Sequence, residues 1–467
     1  APIDISNPVT AASAAVKSLR DMNADVIIGV THAGRYEDEA VAAAVPGIDV
    51  MVTGHFHPMS LDAPLRVGKT ILVQSNAYAQ TLGVLELAYS RADRTLRIRN
   101  EESGQPFLIP INDAIEEDPA VAERLAEYTE TLNRLVTRLT NGKVADIYDT
   151  VMRSDFVLRS SPPGQESILG NFVTDAMRLI VEERTQEEVD FAIQANGVIR
   201  GDVTPGSTPQ SLGKICFYDL ASAIGLGVGC DGEPGYPLMS IYLTGNEIYR
   251  MLEISLWLAR HADVFFLQIS GGRFFHDPRW VAPLRIPFTK WSLPTFRAVI
   301  GLEKFAGKGL QAESGGAFQP IPRGDDTLYH VVCDSYILSF FPKVAELLPF
   351  YKVIPKDRHG KPIALRDAII HDGDGELKFW QALVAYALEQ PPGNDGIPRM
   401  PAYYGISETR IIHTHKSAAM IWTMLAAALA FALFSGFSLW KWRRKNKHKT
   451  GAIGPAPVQR CQGTGQG

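Results

Sequence analysis

The chain reads as a mixed α/β protein: two α/β regions in succession, then one membrane-spanning helix near the C-terminus. Three observations carry this. Residues 24–57 hold two apolar runs, 25–31 and 48–53, on either side of a polar segment of helical character, a strand–helix–strand pattern. From Val144 a second region of alternating strand and helix patterns begins. Residues 417–440 are almost uninterruptedly apolar and uncharged, long enough to cross a bilayer.

Each apolar run of the first region ends on a histidine: His32 after the first, His55 and His57 after the second. In open α/β sheets, ligands gather at the carboxyl ends of the strands. Neutral imidazole is the commonest side-chain ligand for borderline transition metals. Three histidines directed to one sheet edge therefore suggest a metal site, although a lone His after a strand is ordinarily a loop residue. Residues 114–140 are polar, with apolar Val121, Leu125, Tyr128, Leu132 and Leu135 at helical spacing. They read as a long helix bridging two domains. The expected division is 1–112, a linker helix over 113–143, a second domain over 144–405, a transmembrane helix over 417–440, and a tail over 441–467. The basic run from Lys441 to Lys447 marks the cytoplasmic side. The main body is then periplasmic or extracellular, held by the C-terminal helix. From Thr450 the tail is rich in Gly, Pro and Gln and reads as disordered.

Several motifs resemble the 5'-nucleotidase family, which includes bacterial UDP-sugar hydrolases. Thr31-His32-Ala33-Gly34, Val45-Pro46-Gly47-Ile48-Asp49 and Gly54-His55-Phe56-His57 are similar to the closing half of its calcineurin-like metallophosphoesterase domain. The 169–178 segment (LGNFVTDAMR), Ala195-Asn196-Gly197-Val198-Ile199-Arg200 and the 266–274 segment (FLQISGGRF) are similar to its C-terminal substrate-binding domain. The resemblance implies half of a metallophosphoesterase α/β sandwich followed by an α/β substrate-binding domain. It also implies a centre of two divalent ions, zinc or manganese, with His32, His55 and His57 among the ligands. Asn171, Asn196, Arg200 and Tyr336 are implied to bind a nucleotide or related phosphoester.

The chain departs from the pattern in places. The family's D-x-H, G-D and G-N-H-(D/E) segments do not occur before His32, and the catalytic His/Asp pair belongs to the last of them. No catalytic residue is therefore assigned, and the chain is expected to be a truncated form inactive alone. The alternative is a non-catalytic, membrane-tethered nucleotide-binding protein. A third reading is a sister enzyme acting on sulfur-bonded substrates. Leu226 and Val228 stand where the family places a Phe and an Asn, and Ser339-Phe340-Phe341-Pro342 replaces its NGGDG turn.

Composition is that of an ordinary globular protein: 467 residues, 46% hydrophobic and 21% charged, enough for full cores in two domains. A net charge of −5 implies no nucleic-acid polymer as partner. Cys216, Cys230, Cys333 and Cys461 have no zinc-type spacing. Cys216 and Cys230 are compatible with a disulfide in an oxidising compartment, and otherwise with two free, partly buried thiols.

Overall fold

The structure is a computed structural model. It describes residues 5–56, 61–77, 79–112, 114–160, 164–282, 284–285, 292–311, 317–406 and 409–415. The chain divides into two compact units, 1–127 and 128–467.

In the first unit, α1 (Pro8–Asp21) precedes β1 (Ile28–Val30), α2 (Arg35–Ala44) and β2 (Val50–Val52), followed by β3 (Leu65–Val67) and β4 (Thr70–Val73). The sheet order is β1-β2-β4-β3, with β1, β2 and β4 parallel and β3 antiparallel to β4. Parallel strands need a crossover, and α2 supplies it. Val41, Ala42 and Val45 pack against Ile48, Met51 and Leu72, with Val9, Ala12 and Val16 of α1 against them. Two antiparallel pairs follow: β5 (Thr81–Gly83) with β8 (Leu108–Pro110), and β6 (Leu87–Ser90) with β7 (Thr95–Ile98), which leads into α3 (Arg99–Ser103). β1 is an edge strand, and its Ile28 and Val30 are 56% and 82% exposed, unusual for a strand in a parallel sheet.

α4 (Pro119–Leu139) crosses the division between the units. The second unit continues with β9 (Thr150–Arg153), α5 (Ile168–Thr185), β10 (Phe191–Ala195), β11 (Lys214–Cys216), α6 (Phe217–Ile224), β12 (Leu238–Thr244) and α7 (Gly245–Ala259). Then come β13 (Leu267–Ser270), β14 (Gly272–His276), β15 (Leu284–Arg285), β16 (Ser292–Leu293), β17 (Val299–Phe305), β18 (Phe318–Ile321), β19 (Leu328–Asp334) and α8 (Ser335–Leu347). β20 (His371–Asp372), β21 (Gly375–Glu376), α9 (Phe379–Leu388) and β22 (Ile411–His413) complete it.

Its main sheet has the order β12-β19-β10-β13, and a second sheet the order β18-β17-β14-β22. Side chains of β10 alternate between two cores, as a strand's period of two requires. Ala192 joins Phe172, Met177, Leu220 and Phe379 beneath α5, α6 and α9. Phe191, Ile193 and Ala195 join Ile248, Leu252, Phe274 and Val331 beneath α7. The helices start where their caps allow. Ser167 accepts from the Gly170 amide at the head of α5. Thr244 and Glu247 exchange bonds as a capping box at the head of α7.

A buried polar lattice ties α5 to the C-terminal strand. Asp175 is fully buried and holds Arg410 in a bidentate pair at 2.9 and 2.7 Å, while the Tyr404 hydroxyl donates to it at 2.8 Å. Glu166 accepts from the backbone amides of Thr409, Arg410 and Ile411.

Of the two readings open for Cys216 and Cys230, the structure shows free thiols, and Cys333 is free as well. Cys216 caps α6, where its backbone amide donates to Asp219, and the exposed Cys230 is held by a bond from its amide to Glu376. The run 417–440 and its basic flank lie outside the described residues, as do Cys461 and His57. Among the described residues no helix is long and apolar enough to cross a membrane.

Candidate functional site

In the first unit, His32 follows β1 and His55 follows β2, so parallel pairing brings them to one end of the sheet. Their ring centroids are 5.3 Å apart, with the planes at 75°. The turn between β2 and His55 is shaped for this approach. A Cβ on Gly54 would come within 2.8 Å of the His32 Nδ1. His55 takes φ +81°, a left-handed conformation that costs a non-glycine residue about 1–3 kcal/mol and recurs at ligand clamps. Phe56 wedges against the turn: its ring lies 4.9 Å from His55 and 6.3 Å from Tyr36, and a Cβ on Gly34 would strike it.

Asp38 on α2 is buried behind these groups, and one of its carboxyl oxygens has no partner among the described residues. Burial raises its pKa, while the Thr31 hydroxyl and the nearby His32 pull in the opposite direction. Sequence reading missed it, yet an acid at helical spacing with Val41, Ala42 and Val45 was a visible signal. Two imidazoles at this spacing fit as two donors to one divalent ion. Among the described residues no group of three or more candidate ligands is assembled.

The second unit holds the four residues assigned to substrate. Asn171 sits on α5, 2% exposed, with its Nδ2 donating to Glu166 at 2.7 Å. It therefore belongs to the lattice that clamps the C-terminal strand. Asn196 closes β10. Its Nδ2 donates to Asp263 at 2.9 Å, and its Oδ1 accepts from Gln268 at 2.9 Å. Together with the amide bonds from Asn196 to Phe266 and from Gly197 to Val264, this pins the 196–200 turn to the 263–266 segment. Arg200 ends the turn. Its amide donates to Ala223, its guanidinium reaches the Gly197 carbonyl at 3.4 Å, and the residue is exposed.

Tyr336 opens α8 and belongs to a row of rings. Its centroid lies 5.5 Å from Tyr236 and 4.9 Å from Phe340, and Phe340 lies 5.8 Å from Phe265. Phe265 lies in the segment that holds the Asn196 turn, so the turn and the aromatic row share one support. Tyr236 is carried by a hairpin in which its amide donates to Leu226 and that of Gly235 to Gly227. Gly227 takes φ +86°, and a Cβ there would lie 2.3 Å from the Tyr236 ring. The altered 225–228 segment thus presents Tyr236 to Tyr336. A base inserted between two rings needs them about 7 Å apart, two contacts of about 3.5 Å. At 5.5 Å this pair admits no base between its rings, and a base would stack on an outer face.

Asp334 lies beneath the row, fully buried, accepting from the Ile337 amide at 2.8 Å and from Gln194 at 3.2 Å. Burial pushes its carboxyl up to about 6, against the hydrogen bonds that favour the charged form. Asp334 also adds to the rise that burial causes in the Tyr236 phenol. Tyr236, Asp334 and Gln268 escaped the sequence reading. Gln268 within the apolar 266–269 run, and Asp334 just ahead of a helix, were the available signals.

Comparison with known proteins places this architecture. Residues 143–292 match the 5'-nucleotidase C-terminal domain. Human 5'-nucleotidase is 24% identical over 374 residues, covering 74% of this chain and 60% of its own length. The crystal structure of a 5'-nucleotidase precursor from Thermus thermophilus superposes with a TM-score of 0.56 at 19% identity, covering 88% of this chain and 68% of that one. The sulfate thiohydrolase SoxB of the same species superposes with a TM-score of 0.51 at 17% identity, covering 88% and 59%. The chain spans about half the length of the curated relatives it matches. Residues 143–292 thus carry a 5'-nucleotidase C-terminal domain, and the chain as a whole is similar to 5'-nucleotidases and shares the fold of a solved one.

Proposed function

We propose that the protein carrying this chain is a metal-dependent phosphoester hydrolase of the 5'-nucleotidase type, acting on nucleotides outside the cytoplasm. The observation that carries the proposal is the His32–His55 pair, set at the ends of adjacent parallel strands with a strained backbone at His55. His32 and His55, with His57, are the residues of this chain that would hold metal; zinc and manganese suit such donors alike. Divalent ions bound in such a centre polarise a phosphoryl oxygen and activate water for in-line attack. The second unit supplies the grip on substrate. Tyr336 and Tyr236 offer ring faces for a base. The planar Arg200 fork suits phosphate or carboxylate oxygens. With Leu226 and Val228 in place of a ring and an amide, base identity is weakly read, and pyrimidine and purine nucleotides are both accepted. The apolar run 417–440, with its basic flank, supports tethering to a membrane with the main body outside.

The test is phosphate release from AMP and UMP by the protein taken from its own membranes, after chelation and re-addition of zinc or manganese. Metal-dependent release is expected, with His55→Ala lowering it at least about 100-fold. Tyr336→Ala should raise KM by about 5- to 150-fold with kcat retained, the equivalent of about 1–3 kcal/mol of stacking. Nucleotide binding that survives chelation without any phosphate release would overturn the enzyme reading in favour of a binding protein.

A further inference from the structure

The second sheet of the C-terminal unit ends on two histidines in register. β14 and β22 run parallel, with Phe274 opposite Ile411 and His276 opposite His413. Both side chains therefore leave the same face at the carboxyl ends of neighbouring strands. Their ring centroids are 4.5 Å apart and the planes meet at 86°. His276 is 2% exposed, and neither of its ring nitrogens has a hydrogen-bond partner among the described residues. A buried polar group left unsatisfied costs about 1–3 kcal/mol and calls for an explanation. His413 is exposed, so the pair opens to solvent on one side.

We propose that His276 and His413 form a second binding site for a divalent transition-metal ion, separate from the His32–His55 pair. The bound ion takes a lone pair from the otherwise unpartnered His276, and solvent fills its remaining positions on the His413 side. Asp277 is not a donor, because both its carboxylate oxygens are held by Arg279 at 2.9 and 2.8 Å. Burial, and next the His413 ring, hold the His276 imidazole low, at about 4, so it is neutral near neutral pH.

The spacing also ranks the ions. An imidazole centroid lies about 3.2 Å from an ion bound at about 2.1 Å, so centroids 4.5 Å apart subtend about 90° at a shared ion. That is narrower than the tetrahedral angle of zinc sites and suits the tetragonal geometry of copper(II) or nickel(II).

The site is tested with copper(II) on chelator-treated protein carrying H32A, H55A, H57A and H415A, which leave His276 and His413 in place. Calorimetry should show one equivalent bound, and the electron paramagnetic resonance spectrum should show superhyperfine coupling to two imidazole nitrogens. Adding His413→Ala, or His276→Phe with an unchanged circular dichroism spectrum, should weaken binding at least tenfold. Unchanged affinity in H413A overturns the proposal. So does loss in H413A with retention in folded H276F, which would put the ion on exposed side chains alone. Should H276F fail to fold, the nitrogen count decides: two support the site and one overturns it.

Discussion

Replacing Asp175 by Asn should destabilise the C-terminal unit by about 3–5 kcal/mol, the range for removing one partner of a buried ion pair. The geometry shows why the change is not conservative. Asp175 accepts from the Ser270 hydroxyl, from the Tyr404 hydroxyl and from two nitrogens of Arg410, and is itself fully buried. All its partners are donors, so the amide nitrogen of Asn must face a donor, and Arg410, 3% exposed, keeps its charge without its paired carboxylate. Urea unfolding followed by tryptophan fluorescence measures the loss. With a urea slope of about 3 kcal/mol/M for a unit of this size, the midpoint should fall by about 1–1.7 M. Substituting both partners, D175N with R410M, should recover part of the loss, since no buried charge is then left alone. Acid titration adds a second check. Burial raises the Asp175 pKa, but the charge and hydrogen bonds of Arg410, then Arg178 and Ser270, bring it below the usual carboxylate value. An acid depressed in the fold contributes stability that is complete above its unfolded pKa, about 3.9, and is lost as pH falls through the folded value. The gap between wild type and D175N should therefore narrow below about pH 4. A midpoint shift under about 0.3 M at pH 7 would refute the reasoning.

Asp334 has the opposite linkage. Its carboxyl is raised to about 6 by burial, so the folded state holds the proton more tightly, and stability falls as pH rises from about 4 through 6. Asp334→Asn keeps the helix cap and should flatten that slope in urea melts across about pH 4–8; an unchanged slope refutes it. Gly227→Ala should cost about 1–3 kcal/mol and displace Tyr236, since the backbone is left-handed there and the new methyl meets the ring. Nucleotide binding unaltered by this change would show that Tyr236 is not part of the grip. In native protein the exposed Cys230 should react at once with a thiol reagent. Cys216 should lag, because burial and then Asp219 push its thiol up to about 11. An unreactive Cys230 would point to a disulfide after all.

Local pattern made the first region legible. The apolar runs at 25–31 and 48–53 became β1 and β2, and α2 joined them as the crossover that parallel pairing requires. The meeting of His32 and His55 follows from that unit alone, because parallel pairing leaves both carboxyl ends at the same edge. The turn chemistry was legible too, in the glycines at 34 and 54 that make room for Phe56 and His32. The state of Cys216 and Cys230 was left open by the sequence for the complementary reason. Sequence proximity says nothing of direction, and the cap at Asp219 and the bond to Glu376 hold the two residues in separate contacts.

The α/β class, the two-part organisation, the histidines at the strand ends and the resemblance those motifs carry could all be read from the order of residues. Each rests on spacings within about thirty residues. It took the assembled fold to close Asp175 on Arg410, 235 residues away, to lay Tyr336 against Tyr236, and to stand His276 beside His413 with no hydrogen-bond partner among the described residues. Those pairings depend on strand register and on which helix covers which face. Register is a property of the assembled sheet, and a shift of one residue between β14 and β22 would turn His413 away from His276.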